Sequence, residues 1–208
     1  MKDLYIIGTG SQARYIIDIC STHRIKGLID IMNKDNIGKI INDIKVLCLL
    51  EDIEKHVPLK SETEVIVAFG DNKKKEEIVG KLSKIGYDFA TVISTSSYIS
   101  RFAKIGKGSI ICQNVTIQPN AVIGNHVIVH AGSVIEHDNV LDDFSNIAPG
   151  VKFGGCVEVG HGSYVYTGAV AIPKVKIGKY SIVGAGAVVL SNVEDNTTVV
   201  GVPARKIK

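Results

Sequence analysis

The sequence predicts an α/β N-terminal Rossmann-like domain over residues 1–92, followed by a left-handed parallel β-helix over 93–208. Three observations carry this. Residues 97–192 divide into sixteen six-residue repeats without an insertion, and the third position of every repeat is apolar. The first 90 residues instead alternate short apolar runs with segments of helical spacing.

In the N-terminal part, the run 4–8 (Leu-Tyr-Ile-Ile-Gly) is apolar and ends in glycine, the mark of a buried strand. Gly8, Thr9, Gly10, Ser11 and Gln12 follow. A helix over 13–22 then carries Ile16, Ile17 and Ile19 at helical spacing. Strands are expected at 26–30 and 46–50, a short helix from Glu51, and a further strand over 64–70. Asn72 is expected to cap a helix through Ile85, with Ile78, Leu82 and Ile85 on one face. Strands alternating with helices suggest a small doubly wound parallel sheet.

In such sheets ligands sit at the carboxyl ends of strands, near helix N-termini whose free N–H groups favour phosphate. Those positions are Gly8, Gly10, Ser11, Gln12, Asp30, Gly70 and Asn72. The fingerprint of a dinucleotide fold is incomplete, because Ala13 stands where its third glycine belongs. A nucleotide diphosphate fits better than NAD, with the Asp30 carboxylate available to accept from a base or ribose.

In the repeats, the third position reads I, I, I, I, I, V, I, L, I, F, V, V, A, I, V, V, in a chain only 45% apolar. The first position holds only Ser, Ala, Val and one Asn, and Gly, Asn, Pro and Asp gather at positions four to six, where turns need them. An α-helix cannot keep this register, since its side chains recur every 3.6 residues. A short strand plus a turn can. Three repeats make one triangular coil of 18 residues, and stacked coils form a one-dimensional solenoid.

Composition narrows the function classes. With 24 Lys+Arg against 21 Asp+Glu the charge is nearly balanced, which argues against nucleic acid as a partner. The one basic run, Lys73–Lys75, is followed at once by Glu76 and Glu77 and reads as a solvated helix face. No stretch approaches the apolar length of a membrane span, so no membrane partner is expected. Cys20, Cys48, Cys112 and Cys156 show no paired spacing and read as reduced thiols of a cytoplasmic protein.

The repeats resemble the hexapeptide-repeat acyltransferase superfamily. A Rossmann-like domain ahead of them resembles one branch of it, the nucleotide-aminosugar N-acetyltransferases and sialic acid O-acetyltransferases. The strings that carry the resemblance are Gly8-Thr-Gly10, Leu28-Ile-Asp30, Ala68-Phe-Gly70-Asp-Asn72, Val134-Ile-Glu136-His137-Asp138, Ile147-Ala-Pro-Gly150 and the tail Val199-Val-Gly-Val-Pro203-Ala-Arg205. The resemblance implies acetyl-CoA as co-substrate, a homotrimer, and a place in bacterial surface glycan biosynthesis.

Acyl transfer from a thioester to an amine or hydroxyl needs a general base titrating near neutrality. His137 is the candidate, with Asp138 holding its tautomer as the carboxylate of a triad does. The bland alternative is a solvated turn histidine. The resemblance assigns His137 the base role and has Asp138 raise its basicity. Gly155 lies one 18-residue coil beyond His137, so its backbone is expected directly above the base, where its N–H donates to the acetyl carbonyl as charge develops. A turn glycine needing positive φ is the alternative. The resemblance gives Gly155 the same donor role.

Three positions depart from the branch: Asn146 where a second histidine is common, Gln12 in place of a histidine, and Ile31 in place of the second acid of an Asp-Asp pair. Coenzyme A is expected to contact Asn146, Gly155, Thr167 and Ala185, with Arg205, Lys206 and Lys208 facing its 3′-phosphate. No metal is expected: His126, His130 and His161 do not fall on a three-histidine zinc spacing. The function read from these features is acetyl-CoA-dependent N-acetylation of a nucleotide-linked 4-aminosugar. The alternatives are sialic acid O-acetylation and a non-enzymatic nucleotide-binding scaffold.

Overall fold

The computed structural model describes residues 1–208, which divide into two compact units, Met1–Val92 and Ile93–Lys208. The first unit runs β1 (Asp3–Ile7), α1 (Ser11–Ile19), β2 (Arg24–Asp30), β3 (Ile40–Ile41), β4 (Ile44–Leu49), α2 (Ile53–His56), β5 (Thr63–Val67), α3 (Asn72–Ile85) and β6 (Asp88–Phe89). Its sheet has the order β3-β4-β2-β1-β5-β6, parallel throughout except for the β3–β4 hairpin. β1 is central, and Leu4, Ile6 and Ile7 have no exposed surface, as a strand covered on both faces requires. The chain leaves β1 toward β2 on one side and returns to β5 on the other. The strand order therefore reverses at the carboxyl end of β1, where such folds place ligands.

Three details differ from the sequence expectations. Helix α1 starts at Ser11 and ends at Ile19, where the Cys20 N–H donates to the Ile16 carbonyl, so it sits earlier than 13–22. The cap of α3 is Asp71, whose carboxylate accepts from the Lys74 N–H at 2.9 Å; Asn72 is the first helical residue and is buried. The β3–β4 hairpin was not expected. Its turn, Asn42 and Asp43, takes φ of 45° and 66°, values that Asn and Asp tolerate better than most residues.

The second unit is the left-handed β-helix. From Tyr98–Ile99 to Val188–Val189 its strands are two residues long and pair in register with those 18 residues away: Ile110 with Ile128, Asn146 with Ile128 and Tyr164, Val122 with Val140, Thr116 with Val134. They form three parallel sheets, one per face of the prism. The third-position residues from Ile111 to Val189 make a single continuous core. The buried first-position serines Ser109, Ser133 and Ser163 bond to the neighbouring coil. Ser109 Oγ donates to the Gly124 carbonyl at 2.9 Å and accepts from the Val127 N–H at 3.0 Å. The sixth position has positive φ in every repeat from Gly108 to Gly186, which is why Gly, Asn and Asp collect there.

No helix is long and apolar enough to cross a membrane.

Candidate active site

Two places gather the residues expected to do chemistry, one in each unit.

In the first unit a cleft of about 370 Å³ opens at the carboxyl ends of β1, β2 and β5. It is lined by Gly8, Gly10, Ser11, Gln12, Asp30 and Gly70, as expected, and by Thr9, Ile31, Met32, Asn33, Asn36 and Phe69 besides. Gly8 must be glycine: its φ is 127°, and a Cβ there would lie 2.6 Å from the Ala68 carbonyl oxygen. Gly10 ends the turn without a side-chain cap, leaving first-turn N–H groups of α1 facing the cleft mouth. Asn72 does not line it; with Asp71 as cap, Asn72 turns into the helix's buried side.

Asp30 is buried, and its carboxylate accepts four hydrogen bonds. Thr9 Oγ1 donates to Oδ2 at 2.5 Å and Asn36 Nδ2 to the same oxygen at 2.9 Å. The Met32 and Asn33 N–H groups donate to Oδ1 at 2.9 and 2.7 Å. Burial would raise its pKa, but the bonds from Asn36, Thr9, Asn33 and Met32 outweigh that and hold it at about 2. A carboxylate offers about four lone-pair sites. Asp30 therefore ties down the loop after β2 and has no capacity left for a base or ribose, contrary to the sequence expectation.

In the second unit, His137 and Asp138 occupy the turn after the strand Val134–Ile135. Asp138 has φ 58°, in the left-handed sixth position. His137 Nδ1 lies 2.7 Å from Asp138 Oδ2, and Asn120 Nδ2 donates to Asp138 Oδ1 at 3.1 Å. The hydrogen bond from His137, then that from Asn120, lowers the Asp138 pKa. An ionised carboxylate only accepts, so in the neutral ring Nδ1 carries the proton and Nε2 presents the lone pair. Both side chains are about half exposed, at 57% and 48%.

Gly155 is buried directly against the ring. A Cβ at 155 would lie 2.5 Å from His137 Nε2 and Cε1, so any larger residue would displace the imidazole. Gly155 is absent from the positive-φ residues, so close approach, not backbone conformation, requires glycine here. Its carbonyl accepts from the Lys174 N–H at 3.0 Å, whereas its own N–H donates to no acceptor in the chain.

Cys156 is the residue that sequence inspection missed. Its Sγ lies within 4.8 Å of a His137 nitrogen and an Asp138 carboxylate oxygen. The signal was available, since it stands one coil beyond Asp138. The histidines considered for zinc are elsewhere: the Phe144 ring lies between His126, 5.0 Å away, and His161, 5.5 Å away.

Thr167 and Ala185 are exposed and share a corner, where the Gly186 N–H donates to the Thr167 carbonyl. That corner follows the strands Tyr164–Val165 and Ile182–Val183, on a different sheet from the strand before His137. One chain does not bring the two corners together. Asn146 has no exposed surface, so the expected contact with coenzyme A is not available to it. It sits in the outward column of its sheet between Ile128 and Tyr164, and that column is covered there. Arg205 is exposed in a strand, Arg205–Lys206, that pairs antiparallel with Thr198–Val200, so the tail is ordered; Lys206 is paired with Glu194 at 2.9 Å.

Residues 3–82 match the PglD N-terminal domain family, and residues 102–137 match the bacterial transferase hexapeptide (six repeats) family. The GDP-perosamine N-acetyltransferase of Escherichia coli O157:H7 is 30% identical over 180 residues, covering 82% of this chain and 78% of the relative. The chain belongs to the hexapeptide-repeat acetyltransferases. Among solved members of this family, the Caulobacter crescentus enzyme PerB, in complex with CoA and GDP-perosamine, is 26% identical with a TM-score of 0.89, covering all of this chain and 98% of that one. The acetyltransferase domain of PglB from Neisseria gonorrhoeae in complex with acetyl coenzyme A is 25% identical with a TM-score of 0.90, covering 99% of each chain. As a family member, the chain is an acyltransferase enzyme rather than a scaffold.

Proposed function

We propose that the protein transfers an acetyl group from acetyl-CoA to the amine of a nucleotide-linked aminosugar. The observation that carries this reading is the His137–Asp138 pair, with Nδ1 held by a carboxylate and Nε2 against the Gly155 backbone. Similarity over most of the chain to a GDP-perosamine N-acetyltransferase supports the amine over a hydroxyl acceptor.

The first unit's cleft holds the nucleotide, with its diphosphate at the uncapped N-terminus of α1. His137 Nε2 takes the proton that the attacking amine must lose, and Asp138 stabilises the imidazolium. The carbonyl oxygen gains charge as the C–N bond forms, and the Gly155 N–H, without an acceptor in the chain, is available to it. Collapse breaks the C–S bond, and the proton on Nε2 passes to the departing thiolate. The products are an acetamido sugar and free coenzyme A.

A groove that uses both the His137–Gly155 corner and the Thr167–Ala185 corner needs two copies of the chain, which is the reason to propose a homotrimer. Arg205 at the end of the prism supplies positive charge for the 3′-phosphate. Four unpaired cysteines favour a reducing, cytoplasmic setting.

The test is a coupled assay of coenzyme A release with UDP-, dTDP- and GDP-linked 4-aminosugars and with free and CMP-linked sialic acid. The product of an active pair should carry one acetyl group that survives mild alkali, as an amide does. An alkali-labile acetyl ester, formed only on sialic acid, would overturn the assignment to an amine.

A further inference from the structure

The carboxylate that sets the tautomer of His137 is itself held from the coil before it. Asp138 follows His137 in an exposed turn. Nothing in the turn alone fixes where its carboxylate points, since an aspartate χ1 has three staggered wells. Two bonds to the preceding coil do. The Asp138 N–H donates to the Pro119 carbonyl at 3.1 Å, and Asn120 Nδ2 donates to Asp138 Oδ1 at 3.1 Å. With Oδ1 held there, Oδ2 faces His137 Nδ1 at 2.7 Å.

Asn120 has a φ of 63°, which asparagine tolerates better than most residues, and the turn alone would explain its presence. Another rung of the solenoid separates the two roles. Asn125 Nδ2 lies 3.3 Å from each oxygen of Asp143, also one coil away, and the Asn125 N–H donates to Asp143 Oδ1 at 2.6 Å. There both carboxylate oxygens are spent on the preceding coil. At Asp138 one oxygen goes to the coil and the other to the imidazole. A neutral imidazole carries its proton on the nitrogen that finds an acceptor. A carboxylate that swings away therefore lets the proton move to Nε2, where the ring can no longer accept one.

We infer that Asn120 is a positioning residue of the acetyl-transfer site: by holding Asp138 Oδ1 it keeps Oδ2 on His137 Nδ1, and so keeps the Nε2 lone pair available to the attacking amine. This rests on the proposal that His137 is the base.

The test is nitrogen NMR of the histidine rings in the isotope-labelled full chain at about pH 8.5, where an ordinary imidazole is neutral. The His137 signals are assigned by their loss in His137→Ala, and steady-state kinetics are measured beside the spectra. Asn120→Gly removes the amide, and glycine suits the left-handed backbone, so the turn is not strained. The natural chain should show His137 as the Nδ1–H tautomer. Asn120→Gly should shift it toward Nε2–H and lower kcat about tenfold, as loss of one hydrogen bond to a charged group does, with KM little changed. Asn125→Ala should alter neither tautomer nor kcat. An unchanged tautomer in Asn120→Gly overturns the inference and leaves the base role of His137 standing. An equal shift in Asn125→Ala also overturns it, since any rung of the solenoid would then serve. A natural chain that transfers acetyl to no aminosugar overturns the base role, whereas the tautomer, read without substrate, still decides whether Asn120 sets it.

Discussion

Two corners of the same prism have one backbone and opposite contents. At each, the sixth residue of the repeat is held at positive φ. Along one corner, His126, Phe144 and Tyr180 occupy that position, although Phe and Tyr seldom do. Their rings, joined by His161, stack in a column with centroids 5.0 to 5.5 Å apart. Gly108 and Gly162 on that corner leave room for the rings of His126 and Tyr180. Along the other corner, Asp138 and Cys156 take the same conformation, no ring covers them, and His137 stands half exposed against Gly155. The repeat thus fixes positions without deciding their use. A filled corner contributes stability, and an open one leaves a lone pair and an N–H to meet a substrate.

The difference is sharpest at His137. His137→Ala should lower kcat/KM by about 10²–10⁴ with little change in melting temperature, as removing a general base does in an exposed turn. Gly155→Ala comes next, losing about 10² in kcat because the added Cβ pushes the imidazole out of line; a calorimetric scan should again show a small shift. At the filled corner the effect moves to stability. Phe144→Ala should cost about 2–3 kcal/mol in chemical denaturation, and Phe144→Gly about 1 kcal/mol less, since glycine relieves the left-handed backbone.

In the first unit the corresponding device is Asp30. Its folded pKa, about 2, lies below the ordinary 3.8, so its stabilisation is present above pH 4 and disappears as pH falls toward 2. The shift corresponds to about 2 kcal/mol. Denaturation midpoints between pH 5 and 2 should therefore fall less steeply for Asp30→Asn than for the natural chain.

How much of this the sequence displayed depends on what repeats and what does not. The solenoid was legible because the third-position side chains and the sixth-position turns recur at a fixed interval, and the same interval placed Gly155 over His137. It did not reveal Cys156 until the ruler was laid on Asp138 as well. Asn146 was misjudged because the resemblance places it where a second histidine meets coenzyme A, and neither that nor the repeat tells whether this part of the face is covered. Asp30 was misjudged for a related reason: strand-end position marks a carboxylate as reachable, while its four donors come from a loop of no regular pattern. The 40–49 hairpin carries too few residues for periodicity to register, and Asp71 displaced Asn72 as cap because either residue type can do so.

The claim that the open corner does the chemistry and the filled corner holds the prism together is tested most directly by pairing His137→Ala with Phe144→Ala. Acetyl transfer would be measured well below the melting point of each, alongside the melting point itself. The two should cross: the first loses activity and keeps its stability, the second loses stability and keeps most of its activity. Near-normal activity in folded His137→Ala, or equal loss of activity in both, would contradict it.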